Sequence, residues 1–311
     1  NMALPVDGFY LNKYVDPQLL IERRNYRADF MQVLGSVPAG ALAADGIRRN
    51  KLINNVGFRV NNTEEFTPKA MTGQNIIVPW EIYDTEPTSC TDDEIRYLAF
   101  DKRASIRVKH NEAFQVGIRN HVLYKLAPND NEKKEMPVIK TTGANDGTGR
   151  LRLCYKDLVN FATQVKTWNL PVSDALYMVL CPLHMGDLLL DENASKYFYD
   201  RTFYVDPITG KPKGFMGLKF FENNDTPYYN ATTLKKIDEG KAPADTDFQA
   251  STFFYAPNTY YHLESVKSLY KPETTDTRSK SPTSEYRTQT YGIVDRIEEF
   301  GVGAILSAKS E

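Results

Sequence analysis

Four histidines, His110, His121, His184 and His262, are the first residues in this 311-residue chain to test for chemistry. None stands in an H-E-x-x-H run or another ligand spacing, so the pattern points to no metal site. His121 falls near the apolar stripe of a helical segment, where a hydrogen-bonded structural histidine is expected. Cys154 and Cys181 lie in apolar surroundings that suit buried free thiols. Cys90 lies in a polar stretch with no base nearby, so no nucleophile is expected. Gly143-Ala144-Asn145-Asp146-Gly147-Thr148-Gly149-Arg150 has the glycines of a phosphate loop. It lacks the Gly-Lys-Ser/Thr ending and a leading apolar strand, so it reads as a turn. Asp92-Asp93-Glu94 and Glu298-Glu299 have the chemistry for acid–base work or calcium. Adjacent acids of this kind more often face solvent or pair with basic residues of a neighbour. The expectation is no catalytic, cofactor-binding or metal residue, and no cofactor.

Composition narrows the classes further. Hydrophobic residues make up 41% and charged residues 25%, values of an ordinary globular chain. No apolar run approaches the roughly 20 residues of a membrane-spanning helix, so no membrane partner is expected. The opening Asn-Met-Ala-Leu-Pro lacks a basic segment followed by an apolar core, so no secretory signal is read there. Without one, the glycosylation patterns Asn61-Asn62-Thr63 and Asn230-Ala231-Thr232 carry no weight. Three cysteines without paired spacing argue for a reducing compartment. A net charge of −2 supplies no basic field for gripping nucleic acid along its length. Tyr (19) and Phe (16) far outnumber Trp (2), which suits either a β-rich core or protein–protein contacts.

The elements that must position these residues follow from periodicity. Asp16-Pro17 is an N-cap and first-turn pair; Leu20, Arg24, Ala28 and Met31 continue at helical spacing to Gly35. Val56–Val60, Ile76–Val78 and Ala104–Val108 read as short strands separated by long polar gaps. Gaps of that length suit a projecting hairpin better than a compact domain. Asn111–Leu126 is helical, with Phe114, Ile118, Val122 and Leu126 at i+4 steps. Residues 128–150 are linker-like. Leu158, Phe161, Ala162, Val165 and Trp168 share one face of a helix over Tyr155–Trp168. Leu176–Cys181 is a continuous apolar run, typical of a strand buried on both faces, and Pro182 opens a helix to Leu190. A strand over Phe215–Phe221, strands at Ser251–Ala256 and Tyr260–Val266, a polar loop at 271–284, and two terminal strands, Thr290–Ile297 and Gly301–Leu306, complete the order. The class is α+β.

A buried strand ending in proline and running straight into a helix, Tyr177-Met178-Val179-Leu180-Cys181-Pro182 then Leu183–Leu189, resembles the central domain of tailed-bacteriophage major capsid proteins. Thr209–Phe221 resembles that family's glycine-bearing turn and strand. Tyr291-Gly292-Ile293-Val294-Asp295-Arg296 followed by Gly301–Leu306 resembles its closing strand pair. The resemblance covers nearly the whole chain and rests on the order of the motifs. It implies the capsid fold that these proteins share with encapsulins. Residues 1–52 would be the N-terminal arm and helix, and 53–108 the E-loop β-hairpin with its base. Residues 109–150 and 286–311 would form the peripheral domain with its spine helix, and 151–285 the axial domain.

The function so implied is a structural shell subunit, not an enzyme, forming hexamers and pentamers of itself around phage DNA without sequence-specific binding. Scaffolding, portal or decoration proteins are the further partners that the resemblance admits. The setting is the virion capsid, made in the bacterial host cytoplasm. The expected assembly residues are Phe9, Tyr10 and Tyr14 on the arm, and Phe66, Lys69, Met71, Ile76 and Trp80 on the hairpin. Arg23, Arg24 and Arg27 are expected against an adjacent subunit. Some family members crosslink an E-loop lysine to a neighbour's asparagine. Lys69 is the single lysine between Lys51 and Lys102, but nothing identifies the matching asparagine and glutamate. An encapsulin-type compartment shell and a β-rich carbohydrate-active or carbohydrate-binding protein are the alternatives. The latter would need two carboxylates about 5–10 Å apart in a cleft.

Overall fold

The structure is a computed structural model that describes residues 28–52, 56–97, 102–171, 174–193, 196 and 203–310. In chain order its elements begin with β1 (Leu42–Ala43), β2 (Gly46–Leu52), β3 (Gly73–Pro79), β4 (Glu81–Asp84) and β5 (Thr88–Thr91). A short α1 (Asp92–Tyr97) and the long α2 (Lys102–Leu126) follow, then β6 (Val138–Lys140), α3 (Tyr155–Lys166), β7 (Leu176–Leu180) and α4 (Pro182–Leu190). β8 (Phe203–Val205), β9 (Pro212–Phe215), β10 (Leu218–Glu222), β11 (Tyr228–Asn230) and β12 (Asp247–Tyr255) lead to the last four strands. These are β13 (Thr259–Leu263), β14 (Lys267–Lys271), β15 (Thr283–Arg296) and β16 (Val302–Leu306).

The apolar run at Leu176 explains the first layer. β7 lies in the middle of an eight-stranded sheet of order β6-β16-β12-β7-β10-β9-β8, with β11 on the start of β12. Successive side chains on a strand point to opposite faces, and both faces of β7 are covered. Leu176, Met178 and Leu180 pack with Leu158, Phe161, Ala162 and Val165 of α3. Val179 packs on the other side with Phe114, Ile118, Val122 and Leu126 of α2. β12 divides likewise, Phe253 and Tyr255 toward α3 and Phe254 toward α2. Each fully buried Leu or Phe here stabilises by roughly 1.5–3 kcal/mol, so this three-layer stack is the main core.

The second sheet is organised by one strand. β15 pairs along one edge with β13 and β14 and along the other with β4 and β5, all antiparallel. α2 runs under both sheets. Its C-terminal half enters the core just described, while His110 nearer its start meets Thr85, Thr88 and the ring of Tyr286. The third sheet, β1-β2-β3, is a ribbon rooted beside β15.

Several sequence expectations need correction. Ala104–Val108 is not a strand; it forms early turns of α2, because Ile106, His110, Phe114 and Ile118 keep an i+4 stripe that outweighs the local alternation of Ile106 and Val108. Val56–Val60 has strand alternation but joins no ladder among the described residues. Phe215–Phe221 is two strands: Met216 (φ 48°) and Gly217 (φ 94°) make a two-residue turn between β9 and β10, where left-handed backbone suits the twist of a hairpin. The expected helix over Asp16–Gly35 lies mostly outside the described residues; within them, Asp29–Val33 is 3-10 helix. β2 was not expected, since its apolar residues, Ile47 and Leu52, follow no alternation.

Candidate assembly surfaces

The β2–β3 ribbon carries the sequence-predicted hairpin residues. Its register runs from Gly46 opposite Pro79 to Leu52 opposite Gly73, so residues 53–72 connect the two strands. At the root, Ile47, Val78 and Trp80 pack with Tyr260, Ile293 and Ile297, and the Trp80 indole donates to the Ala43 carbonyl at 3.0 Å. Away from the root the ribbon buries little. Phe66, Met71 and Ile77 are exposed, as are Val56, Phe58 and Val60, with Phe58 at 90%. Lys69 is exposed and Ile76 half-buried. A two-stranded ribbon alone is marginal in water, and an exposed apolar set of this size marks a contact surface.

The structure therefore separates the expected hairpin residues into two groups. Phe66, Lys69 and Met71 lie exposed on the connection, whereas Trp80 is fixed within its own subunit at the root. Val56, Phe58 and Val60 belong with the first group. Their signal was present in the sequence as apolar alternation flanked by polar loops. Phe9, Tyr10, Tyr14, Arg23, Arg24 and Arg27 lie outside the described residues.

A charged cluster fixes the strand after the ribbon. The two imidazole nitrogens of His121 on α2 meet Glu81 of β4 at 2.8 Å and Glu239 of the 231–246 loop at 2.9 Å. Glu81 also accepts from Lys125 at 2.6 Å and from the Tyr83 hydroxyl at 2.8 Å. Burial disfavours the imidazolium, but hydrogen bonds to Glu239 and Glu81 push the His121 pKa up to about 9. Burial likewise works against the Glu81 carboxylate, yet bonds from His121, Lys125 and Tyr83 hold it down at about 2. Burial and the adjacent Glu81 raise the Tyr83 phenol. Gly292 on β15 makes room for this tyrosine: a Cβ there would lie 2.4 Å from the ring.

The C-terminal carbonyls of α2 also find cations. Lys236 donates to Tyr124 and Ala127 at 2.7 and 3.0 Å. Arg296 reaches Ala127 at 3.3 Å. Cations there complement the helix dipole. Burial, then the charges of Arg296 and Lys125, lower the Lys236 pKa to about 7.

Other chemistry-bearing residues bond to one another within the fold. His184 meets Ser251 at 2.7 Å and Ser307 at 2.8 Å, residue types that serve hydrolysis elsewhere. Here the imidazole is wholly buried, which pushes its pKa down to about 4. Beside it, Arg150 forks onto Asp187 at 2.7 and 2.8 Å and onto Asp146 at 2.9 Å. In the glycine-rich turn, the Asn145 and Asp146 side chains accept from the N–H groups of Gly147, Gly149 and Thr148. Those donors are thus used within the turn. Among the described residues no His/Cys/Asp/Glu group is arranged to hold a metal, and no helix is long and apolar enough to cross a membrane.

No family model and no curated protein sequence matches the chain. Solved structures do. A capsid structure of the cyanophage P-SCSP1u superposes with a TM-score of 0.66 at 13% identity, covering 97% of this chain and 94% of that one. The capsid asymmetric unit of cyanophage Pam1 gives 0.66 at 10% identity, over 99% of both chains. The capsid of a native GTA particle gives 0.61 at 13%, again over 99% of both. The fold is that of these capsid subunits.

Proposed function

We propose that this chain is a major capsid protein, a coat subunit that assembles as hexamers and pentamers into an icosahedral shell around phage DNA. The observation that carries the reading is the exposed apolar ribbon on a fold shared, end to end, with capsid subunits. A ribbon that its own subunit leaves bare needs a neighbour, and a shell gives every copy one. In this reading β2–β3 and its connection act as the E-loop, α2 as the spine helix, and residues 151–285 as the axial domain around which rings close. Two different surfaces meeting head to tail generate such rings. Many modest contacts per subunit then act as linked interactions at high effective concentration. The role is structural, in the virion, with scaffold, portal or decoration proteins as further partners. A net charge of −2 suits a lining that does not trap packaged DNA.

Electron microscopy of the purified protein beside its sedimentation profile tests this. Closed shells, or rings of five or six, are the expected result. A chain that stays monomeric with and without the other structural proteins of its virion overturns it.

A further inference from the structure

We infer that His121 is a proton-operated clasp, which holds the tip of the 231–246 loop over the groove between β4 and α2. The groove has a volume of about 430 Å³. One wall is Glu81–Thr85, and the other is the α2 face of Ala113, Phe114, Gly117, Ile118 and His121. A Cβ at Gly117 would meet nothing within 4 Å, so the helix side is open there. Among the described residues Glu239 is the one part of the loop that lines the groove, at the end marked by His121.

The clasp requires a proton on geometric grounds. Both ring nitrogens of His121 face carboxylates, Glu81 at 2.8 Å and Glu239 at 2.9 Å. A neutral imidazole carries one N–H and donates to one of them; only the imidazolium donates to both. Without that proton a ring lone pair meets a carboxylate oxygen at hydrogen-bond distance, and one acid must withdraw. Glu81 keeps Lys125 and the Tyr83 hydroxyl as donors. The Glu239 side chain has no other partner among the described residues, and it is the more exposed of the two, 43% against 30%. Glu239 is therefore the acid that leaves.

The ends of the loop stay in place. Lys236, its pKa lowered to about 7 by burial first, donates to the Tyr124 and Ala127 carbonyls, and a neutral amine retains enough N–H groups for both. The N–H groups of Lys236 and Ile237 bond to the Asn129 and Tyr228 carbonyls. Ala244 and Thr246 are tied to Asp247 and Asn230. Between these ends, residues 238–243 are exposed throughout. A further tie, the Glu239 N–H at the Tyr124 hydroxyl, is neutral and does not depend on the His121 proton.

The other ionisable groups around His121 are Tyr83 on β4, Tyr124 and Lys125 on α2, and Tyr261 on β13, with Lys236 and Asp238 on the loop and Arg296 of β15 beyond. Burial disfavours the imidazolium, but the bonds to Glu239 and Glu81 hold its pKa up at about 9, against an ordinary 6.5. The clasp is thus fully closed below 6.5 and is lost as pH climbs through about 9.

Spin labels at Gln115→Cys on α2 and Ala242→Cys on the tip, in a Cys154→Ser background, test this on the full-length subunit; Cys90 and Cys181 are buried. The distance should be single at about pH 7, with the fraction at longer distances rising on the order of 10-fold by about pH 10. In Glu239→Gln a neutral imidazole donates to Glu81 and accepts from the amide, so this variant should stay closed at both pH values. His121→Ala should be open at both. A wild-type distance that does not change, or a Glu239→Gln variant that opens as the wild type does, overturns the clasp. The reference pair Gln115→Cys with Lys166→Cys spans the main sheet and should hold its distance; a change there assigns the motion to the whole subunit and also overturns it. No assembled particle is needed, so this outcome is separate from that of the shell reading.

Discussion

Single side chains set where this protein tolerates change. Arg150 and Asp187 are both buried and bonded through two parallel contacts. Asp187→Ala leaves the buried guanidinium with Asp146 as its remaining carboxylate, so the loss should fall below the roughly 3–5 kcal/mol of a fully broken buried pair. Chemical denaturation of the dissociated subunit should show that loss. His121 and Glu81 make stability depend on pH in a defined window. The His121 pKa is raised, so its contribution is complete below its ordinary value of 6.5 and disappears as pH climbs through about 9. The Glu81 pKa is depressed, so its contribution is complete above 4.5 and disappears as pH falls through about 2. Subunit melting temperature should therefore be highest from about pH 4.5 to 6.5 as far as this cluster decides it. His121→Gln should flatten the alkaline decline between pH 6.5 and 9; an unchanged slope would assign that decline to other groups.

At the scale of elements, the ribbon divides into a root that folds the subunit and an exposed connection that does not. Phe66→Ser should leave the subunit's melting within about 0.5 kcal/mol of wild type, as surface changes do, while lowering the yield of assembled particles. Trp80→Ala should cost stability as well, though less than the roughly 3–5 kcal/mol of a fully buried tryptophan. Gly292→Val drives a side chain into the Tyr83 ring and should destabilise by about 1–3 kcal/mol, visible in the same melts. The contrast follows what periodicity can report. Leu176–Leu180 and the stripe of α3 were legible because their burial obeys one simple period. The start of α2 was not, because Ile106 and Val108 alternate locally while the face that matters repeats every four residues. β2 and β14 left no signal, since ribbon and edge strands are held by backbone pairing and expose most of their side chains. Val56–Val60 shows the converse: its pattern is that of a strand, but among the described residues it pairs with none. The arm residues Phe9, Tyr10 and Tyr14 and the arginines 23, 24 and 27 remain proposals of the sequence alone.

For the whole molecule, the decisive property is that its core and its contacts are separate. The three-layer stack is closed around β7 and β12, while the connection of the ribbon lies exposed. β15 has a further consequence, one that concerns time. β4 and β5, which follow the ribbon in the first third of the chain, find their strand partner about two hundred residues later, at Thr283–Gly292. Contacts so distant in sequence form late, and a chain leaving the ribosome meets them in that order. A chain truncated before Thr283 should leave residues 81–91 unprotected in hydrogen exchange. The newborn chain thus carries its own delay: the strands that follow its ribbon are paired only once synthesis is nearly done.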